Sequence, residues 1–133
     1  MIVVDTNVIG YLFLSSDRSS LAEKTLLKDP DWVAPVLWRS ELLNVLVLYM
    51  RKALISLTDA QQIMHAATHL LHGREYEVSW HEVLKLASKS PCSAYDCEFI
   101  AVANDLKIPL VTVDRQMLRE FPSVAVSLEA FCS

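Results

Sequence analysis

Ile2, Val3 and Val4 form a short unbroken apolar run that ends on Asp5, and a second run, Leu110 to Val113, ends on Asp114. Neither run has the clean in–out alternation of a half-exposed strand. β-Branched residues in such a row suit a strand covered on both faces, and sheets built from such strands are parallel with helices on either side. An ionised carboxylate where a buried strand leaves its sheet costs free energy unless something compensates it. The rest of the chain has to supply that compensation.

Strand-like and helical segments alternate along the chain. A short helix over NVIGYLF follows the first strand, and SSLAEKTLLKD is a second helix with Ser19 or Ser20 as N-cap and Glu23 in its first turn. DWVAP reads as a buried second strand closed by Pro35, and a long helix runs over 38–52. The next helix opens at Thr58, with Gln61 as capping-box partner, and stops at Gly73. YEVS reads as a third strand, WHEVLKLASKS and SAYDCEFIAVANDL as helices, IPLVTVD as a fourth strand, RQMLREF as a short helix and SVAVS as a fifth strand. The predicted fold class is α/β: a three-layer sandwich around a central parallel sheet of about five strands with right-handed crossovers. A helical hairpin is inserted after strand two. No repeat or linker divides the chain, and its 133 residues suffice for a single domain, 1–133, without metal or disulfide staples in the core.

Composition narrows the classes. With 53% hydrophobic residues and only two glycines, disorder and low complexity are excluded. A formal charge of −4 argues against a general electrostatic nucleic-acid binder but leaves room for a local basic patch. Cys92, Cys97 and Cys132 show no CxxC spacing, so a reduced, cytoplasmic chain is expected, with neither a zinc site nor a disulfide framework. The first apolar run has no basic lead-in and no cleavage site. LLNVLVLYM, interrupted by Asn44, falls short of the ~20 residues of a membrane span.

Open parallel sheets bind ligands at the carboxyl ends of their strands. Asp5 and Asp114 both stand there, and although either alone reads as an ordinary helix N-cap, two at one sheet edge point to a shared acidic cleft. Glu41 lies one turn into the long helix, at the border between an apolar face (Trp38, Leu42, Val45, Leu46, Tyr49) and a polar stripe of Ser40, Asn44 and Arg51. A solvated charge and a cleft carboxylate are both open readings there. Asp96 shares the apolar side of its helix with Phe99, Ile100 and Ala103. With Ser93 as N-cap it is the third residue of a capping box, in the first turn, where the helix dipole favours negative charge. Glu98 and Asp105 turn to other faces and read as surface charges.

These contexts resemble the PIN-domain ribonucleases, above all the small VapC-type toxins of toxin–antitoxin pairs. VVDTNVI matches the family's opening strand and Asp-Thr/Ser-Asn segment, and WRSELLNVL matches its helix-borne acid. AYDCEFIAVA matches the third acid and LVTVD the last, so the likeness spans the chain in order. The resemblance implies Asp5, Glu41, Asp96 and Asp114 as catalytic and metal-binding acids, with Thr6 and Thr112 as hydroxyls that orient carboxylates and Asn7 fixing the first turn. Local backbone bonding is an equal alternative for those three. It further implies an RNA substrate, a cognate antitoxin protein and a homodimer, while the short apolar stretches predict no membrane association.

Four converging carboxylates repel one another, and a divalent cation removes that problem. Oxygen-only ligands select Mg²⁺ or Mn²⁺ over zinc. The implied reaction is hydrolysis of an RNA phosphodiester by in-line attack of a water made acidic by the cation. Arg39, Arg51, Lys52, Arg115 and Arg119 flank the acidic motifs, and Arg115, next to Asp114, is the preferred phosphate contact. His65, His69 and His72 lack the HExxH pattern of a zinc site. Two rivals remain: a phosphotransfer enzyme with Asp5 as nucleophile, disfavoured because Asn7 stands where a second acid is usual, and a non-catalytic RNA- or protein-binding module.

Overall fold

The apolar runs become β1 (Ile2–Val4), β2 (Trp32–Pro35) and β4 (Leu110–Thr112), every residue of which is buried. With β3 (Glu75–Tyr76) and β5 (Ala125–Ser127) they form one parallel sheet of order β3-β2-β1-β4-β5 in the computed structural model, which describes residues 1–133. β1 lies in the middle, with Val3 in register with Val33 on one side and Leu110 on the other. The chain steps outward from β1 to β2 and β3, then returns to the far side of β1 for β4 and β5. The order therefore reverses between β1 and β4, which opens a crevice at their carboxyl ends.

The helices are α1 (Thr6–Phe13), α2 (Ser19–Lys28), α3 (Trp38–Arg51), α4 (Leu57–Leu70), α5 (Trp80–Ser88), α6 (Ala94–Leu106), α7 (Arg115–Glu120) and α8 (Leu128–Cys132). α1 packs on α2, α3 and α4, while α6 packs on α5, β1, β2 and β4. α3 and α4 form the hairpin expected after strand two. α3 buries Trp38, Leu42 and Leu46, the 3.6-residue stripe that its sequence displays, and α6 buries a continuous face through Phe99, Ile100 and Ala103. No helix is long and apolar enough to cross a membrane.

Three local expectations are corrected, and one helix is added. Neither Ser19 nor Ser20 caps α2: Arg18 holds the N-cap position, and the Ser19 hydroxyl instead donates to Leu14 O and accepts from Ser16 N, closing the α1–α2 connection. α4 starts at Leu57, and its box is Ser56–Asp59, each side chain accepting the other's backbone N–H at 3.0 Å. Asp59 outcompetes the Thr58–Gln61 pair because a full negative charge in the first turn also meets the helix dipole. β3 lies at Glu75–Tyr76 instead of YEVS, since its partner β2 ends at Pro35, in register with Tyr76, and then turns into α3. α8 was not foreseen; its signal is Ser127, whose hydroxyl accepts from Ala130 N at 3.1 Å.

Candidate active site

Asp5 follows β1 directly and occupies the N-cap position of α1, yet its side chain caps nothing. It is 8% exposed, and its Oδ2 accepts a 2.7 Å hydrogen bond from the fully buried Thr112 hydroxyl on the neighbouring strand. The same hydroxyl accepts from Asp114 N at 3.0 Å, so one oxygen ties the ends of β1 and β4 together. Asp114 itself caps α7, its Oδ1 accepting from Met117 N at 2.9 Å. Glu41 reaches across from α3 to α1, where its Oε1 accepts from the Thr6 hydroxyl at 2.7 Å. Asp96, half-buried in the first turn of α6, has its backbone N–H bound to the Ser93 hydroxyl at 3.1 Å.

The acids sense one another. Burial is the main reason the Asp5 carboxyl rises from an ordinary 3.8 to about 6; the Thr112 hydroxyl opposes the rise, and Glu41 and Asp96 add to it. Burial likewise raises Glu41, with Asp96 contributing, and raises Asp96, with Asp114 contributing. No basic side chain relieves them. The acids that pair with cations in this molecule are Asp29, Asp31, Glu75, Glu120 and Glu129. Asp5, Glu41, Asp96 and Asp114 are thus linked in a chain of mutual repulsion without a counter-charge.

A family model of the PIN domain matches residues 2–123. The chain belongs to the PIN domain family. Ribonuclease VapC3 of Pyrobaculum aerophilum is 28% identical over 127 residues, covering 92% of this chain and 96% of its own. The crystal structure of PAE2754 from Pyrobaculum aerophilum superposes with a TM-score of 0.78 at 20% identity, covering 98% of this chain and 92% of that one. The α/β architecture expected from the strand pattern is shared with that structure.

Within this PIN domain, no three His, Cys, Asp or Glu side chains are already gathered tightly enough to hold a metal ion. Each of three acids has its own partner: Thr112 holds Asp5, Thr6 holds Glu41 and the α7 cap holds one oxygen of Asp114. The donor chemistry still fits a hard cation. All four groups are carboxylates without a cationic partner, and Mg²⁺ is commonly held by one or two carboxylates with the remaining positions filled by water.

The remaining expected residues divide. Asn7 is exposed, and Arg115 is exposed beside Asp114 without a carboxylate partner. Arg39 is taken up by Glu75 and is not free for phosphate. Glu98, read from sequence as a surface charge, is partly buried, and its carboxyl is raised by burial and by Glu41. The one signal for it was its place two residues after Asp96, which helical geometry alone sends to another face.

Proposed function

We propose that this PIN domain is a divalent-metal-dependent endoribonuclease that hydrolyses RNA phosphodiester bonds. The observation that carries the reading is the set of acids without a counter-charge at the β1–β4 reversal, with Asp5 buried and its carboxyl raised by burial to about 6. Likeness to a relative named a ribonuclease supports the same reaction. Asp5, Asp96 and Asp114 would hold Mg²⁺ or Mn²⁺ directly or through water, and Glu41 would hold water or a second ion. A bound cation supplies charge neutralisation at the phosphate and acidifies the attacking water. The chain's own work is positional: Thr112 orients Asp5 and fixes the backbone of Asp114, Thr6 orients Glu41, and Ser93 anchors the turn that carries Asp96. Arg115, exposed beside Asp114, would steady a phosphate there.

The resemblance to VapC-type toxins extends the proposal to the toxin half of a type II toxin–antitoxin system, with a protein antitoxin, a homodimeric state and a cytoplasmic location. The deciding assay mixes purified protein with structured RNAs in Mg²⁺ or Mn²⁺, in chelator, and with Asp96→Asn in place of the wild type. Cleavage that needs both the metal and Asp96 is expected. RNA binding with no cleavage under any condition would assign a binding module instead, and a phosphoryl group trapped on Asp5 would assign phosphotransfer.

A further inference from the structure

Resting on the nuclease reading, we propose that Glu75 is a positioning residue that latches the start of α3 and so sets where Glu41 stands in the cleft. α3 begins without a side-chain cap, because the residue at its N-cap position is the apolar Leu37 in a helical conformation. A carboxylate from the edge strand does the anchoring instead. Glu75 accepts from Arg39 Nε at 2.6 Å and Arg39 Nη2 at 2.7 Å, a two-pronged pair, and from Trp38 Nε1 at 2.8 Å. Trp38 is fully buried and the Glu75 side chain is 19% exposed, whereas the Arg39 side chain is 48% exposed. The latch therefore faces solvent with its cation and the core with its indole.

Its position in the chain matters more than its own strength. Trp38 and Arg39 are the first two residues of α3, and Glu41 follows within the same turn. A turn of helix transmits a shift of its first residues almost rigidly, because the backbone bonds Arg39 N to Val36 O and Glu41 N to Leu37 O close that turn. Glu41 is then held at two points: at its root by the Glu75 latch, and at its tip by the Thr6 hydroxyl. β3, which supplies the latch, is only two residues long and lies at the sheet edge, so its pairing with β2 and this side-chain cluster are what join it to the site.

The test compares Arg39→Gln, Glu75→Gln and Thr6→Val singly and Arg39→Gln combined with Thr6→Val. The Arg39 change sits at the half-exposed partner and spares the core, so it keeps the test valid if Glu75→Gln folds poorly. Each single variant should lower Mn²⁺-dependent cleavage about 10-fold, the scale of a small misplacement of a catalytic group. The double variant should fall no more than about 2-fold below the weaker single one, because both changes release the same Glu41. Losses that multiply towards about 100-fold, or wild-type rates in both latch variants, would overturn the proposal. A second readout needs no activity: in metal-free protein, the ¹³C resonance of the Glu41 carboxylate should move in Arg39→Gln as it does in Thr6→Val. An unmoved Glu41 resonance refutes the latch, whereas an absence of wild-type cleavage refutes the nuclease reading.

Discussion

Replacing Asp5 with asparagine should make the metal-free protein more stable at neutral pH while abolishing its proposed reaction. Asp5 binds its proton more tightly folded than unfolded, so its contribution is full below pH 3.8 and is lost as pH rises through about 6. At about 1.4 kcal/mol per pH unit, the rise from 3.8 to about 6 means that ionised Asp5 costs the fold about 3 kcal/mol at pH 7.5. Asparagine keeps the shape and an oxygen for the Thr112 hydroxyl but brings an N–H₂ group that needs an acceptor, a loss of roughly 1 kcal/mol. The expected net gain is about 2 kcal/mol, or roughly 6–10 °C in Tm for a chain of this size. Glu41 and Asp96, also raised, are present in both proteins and cancel to first order. Urea unfolding in chelator, at pH 7.5 and again at pH 4, measures the difference. The gain should vanish at pH 4, where the wild-type carboxyl is protonated in the folded state. A variant no more stable than wild type at pH 7.5, or one with the same gain at pH 4, would refute the claim that burial of the Asp5 charge is what a cation compensates.

Three further outcomes follow from the same geometry. Thr112→Val leaves Asp5 without its donor and Asp114 N–H without its acceptor, so it should cost about 2–3 kcal/mol in chemical unfolding at pH 7.5, with Thr112→Ser recovering most of it. Ser93→Ala removes the α6 cap and should cost about 1 kcal/mol, together with weaker Mn²⁺ binding by calorimetry, because Asp96 occupies the capped turn. The thermal stabilisation given by millimolar Mn²⁺ should grow as pH rises through about 6, since the cation competes with the proton on Asp5; equal stabilisation at pH 5 and 8 would remove Asp5 from the ion's ligands.

Much of the fold is legible locally because its signals are local. Unbroken β-branched runs announce doubly covered strands, and Ser93 three residues before Asp96 announces the start of α6. Where two local signals compete, sequence reading fails: Ser56–Asp59 and Thr58–Gln61 obey the same spacing, and only the charge of Asp59 separates them. Edge strands are less legible still, because their bounds are set by the partner's length, as Pro35 sets the end of β3. Glu98 was missed because helical phase says which way a side chain leaves its own helix but not what another helix brings near it.

By itself the sequence determined the buried strands β1, β2 and β4, most of the helices, the parallel α/β class and the two aspartates stranded at strand ends, since each depends on a handful of neighbouring residues. Only the tertiary structure decided that the reversal of strand order falls between β1 and β4, so that Asp5 and Asp114 share one hydroxyl 107 positions away from Asp5. It also decided that Asp5, Glu41 and Asp114 are each held by a separate hydrogen bond, and that Glu75 reaches back to α3. Burial, repulsion and hydrogen bonding between distant segments are properties of the packed chain, and no run of adjacent residues encodes them.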